Sequence, residues 1–204
     1  TESWNGTNWT EVNNLNTARD FGAGSGIQTS GLAFGGAINT PTASTDKAET
    51  YEYDGTNWTE GGDLNQARHA GAGMGASQTA AMCAGGHNPN YSNTEIYNGT
   101  AWTEVNTYAN SGFGTSTLAI ACGGLPPGTD TNANMRSAQF WNGSSWTEVS
   151  EMSYSKASAQ GTGTTTAGLS FGGYAPNESP SETNANKTEE WGGVTLTNKT
   201  ITLT

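Results

Sequence analysis

One short phrase recurs along the chain, and it limits what the chain can fold into more than any other feature. It reads W-N-G-T-N-W-T-E at Trp4 to Glu11 and Y-D-G-T-N-W-T-E at Tyr53 to Glu60. It returns as Y-N-G-T-A-W-T-E at Tyr97 to Glu104 and as W-N-G-S-S-W-T-E at Trp141 to Glu148. Asn-Gly and Asp-Gly pairs tolerate positive φ and so reverse the chain between two strands. Each copy therefore reads as a β-hairpin with aromatics on both flanking strands. The second Trp of the phrase recurs as Trp9, Trp58, Trp102 and Trp146, at spacings of 49, 44 and 44 residues. A Gly-Gly pair recurs with it, starting at Gly35, Gly85, Gly123 and Gly172. A period in the forties with one Gly-Gly and one such Trp per unit points to propeller blades of four strands.

Each unit opens on alternating glycines: Gly22, Gly24 and Gly26, then Gly71, Gly73 and Gly75, then Gly112 and Gly114, then Gly161 and Gly163. A strand with one bare face admits a neighbouring backbone closely, which suits an innermost strand near a narrow axis. The second strand ends in Gly-Gly. Leu32-Ala33-Phe34, Met82-Cys83-Ala84, Ile120-Ala121-Cys122 and Leu169-Ser170-Phe171 precede the four pairs. The small central residue with mostly larger apolar flanks predicts a strand covered on two unequal faces. A polar segment of variable length follows, at 37–48, 87–93, 125–136 and 174–187. The third strand is expected over Glu49–Tyr53 and Thr94–Tyr97 in the first two units. The fourth begins at Trp58 in the first.

The unit resembles the Kelch repeat in its Gly-Gly, the aromatic a dozen or more residues later, the Trp five residues beyond, and the Arg opening the next unit (Arg19, Arg68). The wording E-x-W-N-G-T-x-W-T-E, with L-N-T-A-R and L-A-F-G-G, is similar to repeat proteins of marine bacteriophages. That resemblance implies a virion-associated protein. Units three and four depart from the pattern, with Gly112 and Lys156 read at the Arg position.

The expected fold is an all-β, Kelch-like β-propeller. Four blades are preferred, the last closed by the N-terminal strand Trp9-Thr10-Glu11 beside Thr188-Glu189-Glu190-Trp191. Five blades with one incomplete is the alternative. Residues 1–193 form one propeller domain, and 194–204, which alternate strictly, an extra strand or hairpin. The chain begins at Thr1 rather than Met and shows no leader pattern, so it reads as processed or as part of a longer product.

The 204 residues carry 7 Lys plus Arg against 18 Asp plus Glu, a net charge of −11, with only 12 % charged residues. Such a surface works through hydrogen bonds and stacking. It disfavours nucleic acid and anionic membranes, which need concentrated basic charge. No apolar run reaches the length of a membrane span. Cys83 and Cys122 sit out of register relative to their Gly-Gly pairs, so buried free thiols are expected in preference to a bridge.

In an up-down blade the segments after Gly-Gly and the unit-to-unit connections share one end, and that end holds most of the length variation. It is the expected binding face. Its candidate ligand-binding residues are Asn39, His87, Asn88, Asn90, Tyr91, Asn132, Asn134, Arg136, Tyr174 and Asn177. Asn amides donate and accept, and Tyr rings stack on sugar rings. The same residues also suit plain turns. The repeated Trp is read as blade-to-blade packing, and Glu11, Glu60, Glu104 and Glu148 as exposed edge charges. Asn-x-Ser/Thr triplets such as Asn5-Gly6-Thr7 are read as turn chemistry. Asp130 to Asn134 only faintly resembles a calcium loop. No metal or cofactor is expected, and His69 beside Arg68 is the one suggestive polar site.

The reading is a non-enzymatic binding module, in a virion or extracellular, that recognises host-surface glycan through the loop face. The alternative is a structural appendage subunit bound only to other virion proteins. A homo-oligomer fits either. A Kelch-type oxidase or glycosidase is a third reading, and its copper ligands or paired carboxylates are not visible in the sequence.

Overall fold

The computed structural model describes residues 1–40, 43–86, 93–106, 112–123, 136–156, 159–173 and 187–193. These residues are almost entirely strand and turn, with no α-helix among them. Four antiparallel sheets are arranged as a four-bladed propeller, each strand pairing with the next in sheet order. Blade 1 holds β3 (Ala23–Ile27), β4 (Ser30–Phe34), β7 (Thr50–Tyr53) and β8 (Trp58–Glu60). Blade 2 holds β9 (Ala72–Ser77), β10 (Ala80–Ala84), β11 (Asn93–Tyr97) and β12 (Trp102–Asn106). Blade 3 holds β13 (Gly112–Gly114), β14 (Ala119–Cys122), β15 (Ala138–Trp141) and β16 (Trp146–Glu148). Blade 4 shows three strands, β17 (Gln160–Thr164), β18 (Ala167–Phe171) and β19 (Thr188–Trp191).

The repeated phrase forms the outer hairpin of blades 1 to 3, and also of an N-terminal pair, β1 (Glu2–Trp4) with β2 (Trp9–Glu11). The two aromatics sit directly opposite, as in Tyr53↔Trp58 and Trp141↔Trp146. Their rings lie 4.8 to 5.5 Å apart in the four hairpins. The leading Asn or Asp closes the turn with its side chain. Asn5 Oδ1 accepts from the amides of Thr7 and Asn8, both at 2.9 Å. Asp54, Asn98 and Asn142 repeat the arrangement. The amides of Asn57 and Thr56 hold the exposed Asp54 carboxyl below its usual range.

The blades meet through one recurring junction. Leu32 and Phe34 of blade 1 pack on Ala81, Cys83, Tyr97 and Trp102 of blade 2. Met82 and Ala84 of blade 2 pack on Ala119 and Trp141 of blade 3. Ile120 and Cys122 of blade 3 pack on Trp191 of blade 4. Full burial of each large apolar side chain contributes about 1.5–3 kcal/mol. Nearer the axis β3, β9, β13 and β17 lie side by side in that order. A Cβ added at Gly73 would stand 2.2 Å from the carbonyl oxygen of Gly24 in the preceding blade. The bare face thus does what the alternation implied. The Gly-Gly pairs take positive φ at both members in Gly35–Gly36, Gly85–Gly86 and Gly172–Gly173, which a Cβ would disfavour.

A cation ties each described unit opening to its own blade. Arg68 Nη1 donates to the carbonyls of Gly85 (3.0 Å) and Asn93 (2.8 Å), and its Nη2 pairs with fully buried Glu95. Glu95 Oε2 accepts from the amide and side chain of Asn65, in the connection from blade 1. Arg19 donates to Gly35 and Glu49 carbonyls and lies over the Tyr51 ring. Lys156 takes the same post in blade 4, donating to Ser170 (2.9 Å) and Lys187 (3.1 Å) carbonyls near Glu189. Burial lowers its pKa.

Several expectations shift. Gly112 pairs with Ala121 as Gly73 pairs with Cys83, so it is a bare-face glycine. The Arg position of unit three falls five residues earlier, at Thr107, outside the described residues. The segment at 37–48 is largely a hairpin, β5 (Ala37–Thr40) with β6 (Ala43–Asp46), because its small and β-branched residues supply a pleat. Trp9–Glu11 pairs with Glu2–Trp4, its own hairpin partner only four residues away, and no pairing with β19 is present among the described residues. The deeper aromatic is the first of each pair: Tyr97, Trp141 and Trp191 are buried, whereas of the second set only Trp102 is, and Trp9 is exposed. Trp141 and Trp191 donate to the carbonyls of Ser116 and Thr165, in the first turn of their own blades. Glu11, Glu60, Glu104 and Glu148 are exposed on outer strands as expected. Cys83 and Cys122 are buried free thiols. The expected strand at 194–204 lies outside the described residues.

Removing Glu95 strands a buried guanidinium. Glu95→Ala should therefore cost about 3–5 kcal/mol in urea unfolding, while exposed Glu60→Ala stays within about 0.5 kcal/mol. Burial pushes the Cys83 thiol up to about 12, with Glu95 adding to the shift and Arg68 opposing it. Burial first, and the hydrogen bond to Glu52 second, raise Tyr97 to about 12. Both folded values lie above the unfolded ones, so the stability they contribute is complete below roughly pH 8.5. It is lost as pH climbs toward about 12. Unfolding midpoints measured across that window should fall, and less steeply in Tyr97→Phe.

Candidate binding face

β3 and β4 run antiparallel with Ala23 beside Phe34, so the start of each inner strand and the Gly-Gly lie at the same end. The connection from blade 1 to blade 2 arrives there too. That end carries the β5–β6 hairpin, anchored by reciprocal bonds of 2.8 Å between the backbones of Asp20 and Ala37.

Three side chains converge on it. His69 Nδ1 lies 2.9 Å from Asp46 Oδ1 at the end of β6. The Phe21 ring stands 5.9 Å from the imidazole at 47°. Phe21 is 65 % exposed. Asp46 has a side chain only 8 % exposed, and its Oδ2 is buried with no hydrogen-bond partner. A buried carboxylate oxygen left with free lone pairs costs about 1–3 kcal/mol, so a donor at this point is favoured.

The backbone beneath the ring is strained. Phe21 has φ 52° and its counterpart Ala70 has φ 55°, the non-glycine positive values of the described chain. Left-handed backbone costs a non-glycine residue about 1–2 kcal/mol. Ala70 donates to the Phe21 carbonyl at 2.9 Å, so the two strand starts hold one another in this shape. The site thus offers an exposed apolar ring to stack on and, beside it, an imidazole that a buried carboxylate holds in place. Those are the groups that grip a ring with an apolar face and hydroxyl edges.

Of the residues expected at this face, Asn39 lies on β5, paired with Ser44 on the hairpin that carries Asp46. Arg136 lies just before β15, half-exposed, 3.5 Å from Glu151 in a surface ion pair. His87, Asn88, Asn90, Tyr91, Asn132, Asn134, Tyr174 and Asn177 lie outside the described residues, as does the stretch from Asp130 to Asn134. His69 was singled out by the sequence, whereas Phe21 and Asp46 were not. The available signal was a large aromatic at Phe21 where the second unit has Ala70. Among the described residues no cluster of three or more His, Cys, Asp or Glu could hold a metal. A void of about 10 Å³ between blades 3 and 4, lined by Phe113, Cys122 and Trp191, has room for about one water and no larger ligand.

Phe21→Gly removes the left-handed strain together with the ring. It should raise the unfolding free energy by up to about 1 kcal/mol, and a melting curve lower than wild type would show that the ring is structural. No family model matches the chain, and a search of curated proteins finds no match.

Proposed function

We propose that this protein is a non-enzymatic binding module that recognises saccharide through the loop face of its first two blades. The observation that carries the reading is Phe21, an exposed ring held on strained backbone beside the His69–Asp46 pair. Strain kept at a solvent-exposed position is characteristic of ligand clamps. The ring would stack on the apolar face of a sugar, and the His69 imidazole, held in place by Asp46, would hydrogen-bond its hydroxyl edge. A chain with 12 % charged residues and a net charge of −11 suits neutral polyhydroxyl ligands better than phosphate-rich ones. On the resemblance of its repeats to Kelch units and to marine phage repeat proteins, the setting is a virion and the ligand a host-surface glycan. Pure assembly with other virion proteins is the second reading, favoured by the exposed apolar face of blade 4.

A glycan array followed by calorimetric titration tests the proposal. The intact protein should bind at least one saccharide class at micromolar to millimolar affinity. Phe21→Gly and Asp46→Asn should each weaken it tenfold or more with the melting transition kept. No saccharide binding, or binding that both variants leave unchanged, would contradict it.

A further inference from the structure

The two ends of the blade series are left unlike its interior. Leu32 and Phe34 are 2 % and 0 % exposed, because blade 2 covers them. Their counterparts Met82, Ala84, Ile120 and Cys122 are covered by the following blade in the same way. Leu169 and Phe171 occupy the same positions of blade 4 and are 36 % and 39 % exposed. They alternate with Gly168 and Ser170, which are buried toward blade 3. At the other end the inner half of blade 1 faces no blade among the described residues. A Cβ on Gly168 would collide with the Phe113 ring of blade 3, whereas one on the equivalent Gly31 would meet only atoms of its own blade. β3 and β17 do not pack together as the three successive pairs do.

The exposed faces match. At the junction of blades 1 and 2 a bulky pair, Leu32 and Phe34, meets Ala81, Cys83 and Tyr97, and at the next two junctions one large residue, Met82 or Ile120, faces the aromatic Trp141 or Trp191. Leu169 and Phe171 form such a bulky pair, and Gly31, Ala33 and buried Tyr53 form such a receiving face. The outer half also corresponds. Trp58 Nε1 donates to Thr1 Oγ1 at 3.2 Å as Trp102 Nε1 donates to Thr50 Oγ1 at 2.9 Å. The β1–β2 hairpin therefore sits where the outer half of a preceding blade belongs. Its word Thr1-Glu2-Ser3-Trp4 nearly repeats Thr188-Glu189-Glu190-Trp191.

We infer that blade 4 of one copy docks on blade 1 of a second copy, its β19 taking the place of β1 beside β2. The blade is then completed across two chains, and Leu169 and Phe171 are buried on Gly31 and Ala33 of the other. The contact is head-to-tail, so it yields rings or open arrays.

Light scattering over a concentration series tests this with the whole chain. Wild type should rise from single-chain mass to a dimer or larger. Leu169→Glu with Phe171→Glu should hold single-chain mass, with an unchanged β-sheet spectrum and melting transition because both residues are exposed in one chain. A wild type that stays single at millimolar concentration, or association that the double variant leaves intact, overturns the inference. Mixing Phe171→Cys with Ala33→Cys protein under oxidation should give the mixed disulfide dimer. Disulfides between two Phe171→Cys chains alone would show face-to-face pairing. An intrachain disulfide in the doubly substituted chain would show closure within one molecule. Either result overturns the head-to-tail contact. Saccharide binding does not enter either readout, so failure here leaves the glycan proposal standing and the reverse holds.

Discussion

The structure depends on how closely one inner strand can approach the next. Gly73 lies against the backbone of Gly24, and Gly161 against that of Gly112, with no room for a Cβ at either place. That approach sets the distance at which the blades stack. The distance in turn decides which side chains bridge the wider part of each junction. Leu32 and Phe34 can reach Cys83 and Tyr97 only because the sheets are drawn together at the axis. The hydrophobic burial is thus the main energy of the fold, and the glycines are the geometric condition for it.

Polar groups at the junctions follow from the same closeness. In blades 1, 2 and 4 the second strand presents carbonyls at or near its Gly-Gly end to the incoming cation. Arg68, Arg19 and Lys156 satisfy them. Where the blade also supplies a carboxylate, as with Glu95 and Glu189, the carboxylate in turn accepts amides from the incoming connection. Arg and Lys both fill this post by donating to carbonyls, but the planar fork of Arg68 also hydrogen-bonds Glu95, whereas the Lys156 ammonium lies 3.9 Å from Glu189. At the same end of the blade the backbone takes its strained turn at Phe21 and Ala70, and this turn aims the candidate binding ring outward.

Much of this was legible in the sequence. The repeated phrase located the outer strands of blades 1 to 3 and the N-terminal hairpin, because Asn-Gly chemistry and paired aromatics act locally. The alternating glycines marked the inner strands, since nothing else in a strand benefits from a bare face. Pairings between distant segments were harder to read. Trp9–Glu11 found Glu2–Trp4, a partner close in sequence, where closure would have required β19 at the far end. The role of Gly112 was misread because unit three is shorter and Thr107 holds the Arg position. The candidate site was the least legible part. His69 stood out, but Asp46 meets it only through a hairpin hidden in a polar segment, and Phe21 projects only because of a backbone angle no pattern announces.

Comparing two glycine substitutions by equilibrium unfolding at low protein concentration tests the central claim most directly. An alanine at Gly73 would meet the Gly24 backbone at 2.2 Å, whereas one at Gly24 meets only the Leu32 carbonyl oxygen, at 3.2 Å. If inner-strand approach governs the fold, Gly73→Ala loses about 1–3 kcal/mol while Gly24→Ala, in an equivalent strand position, changes stability by less than about 1 kcal/mol. Equal losses in the two variants, or no loss at Gly73, would contradict the account.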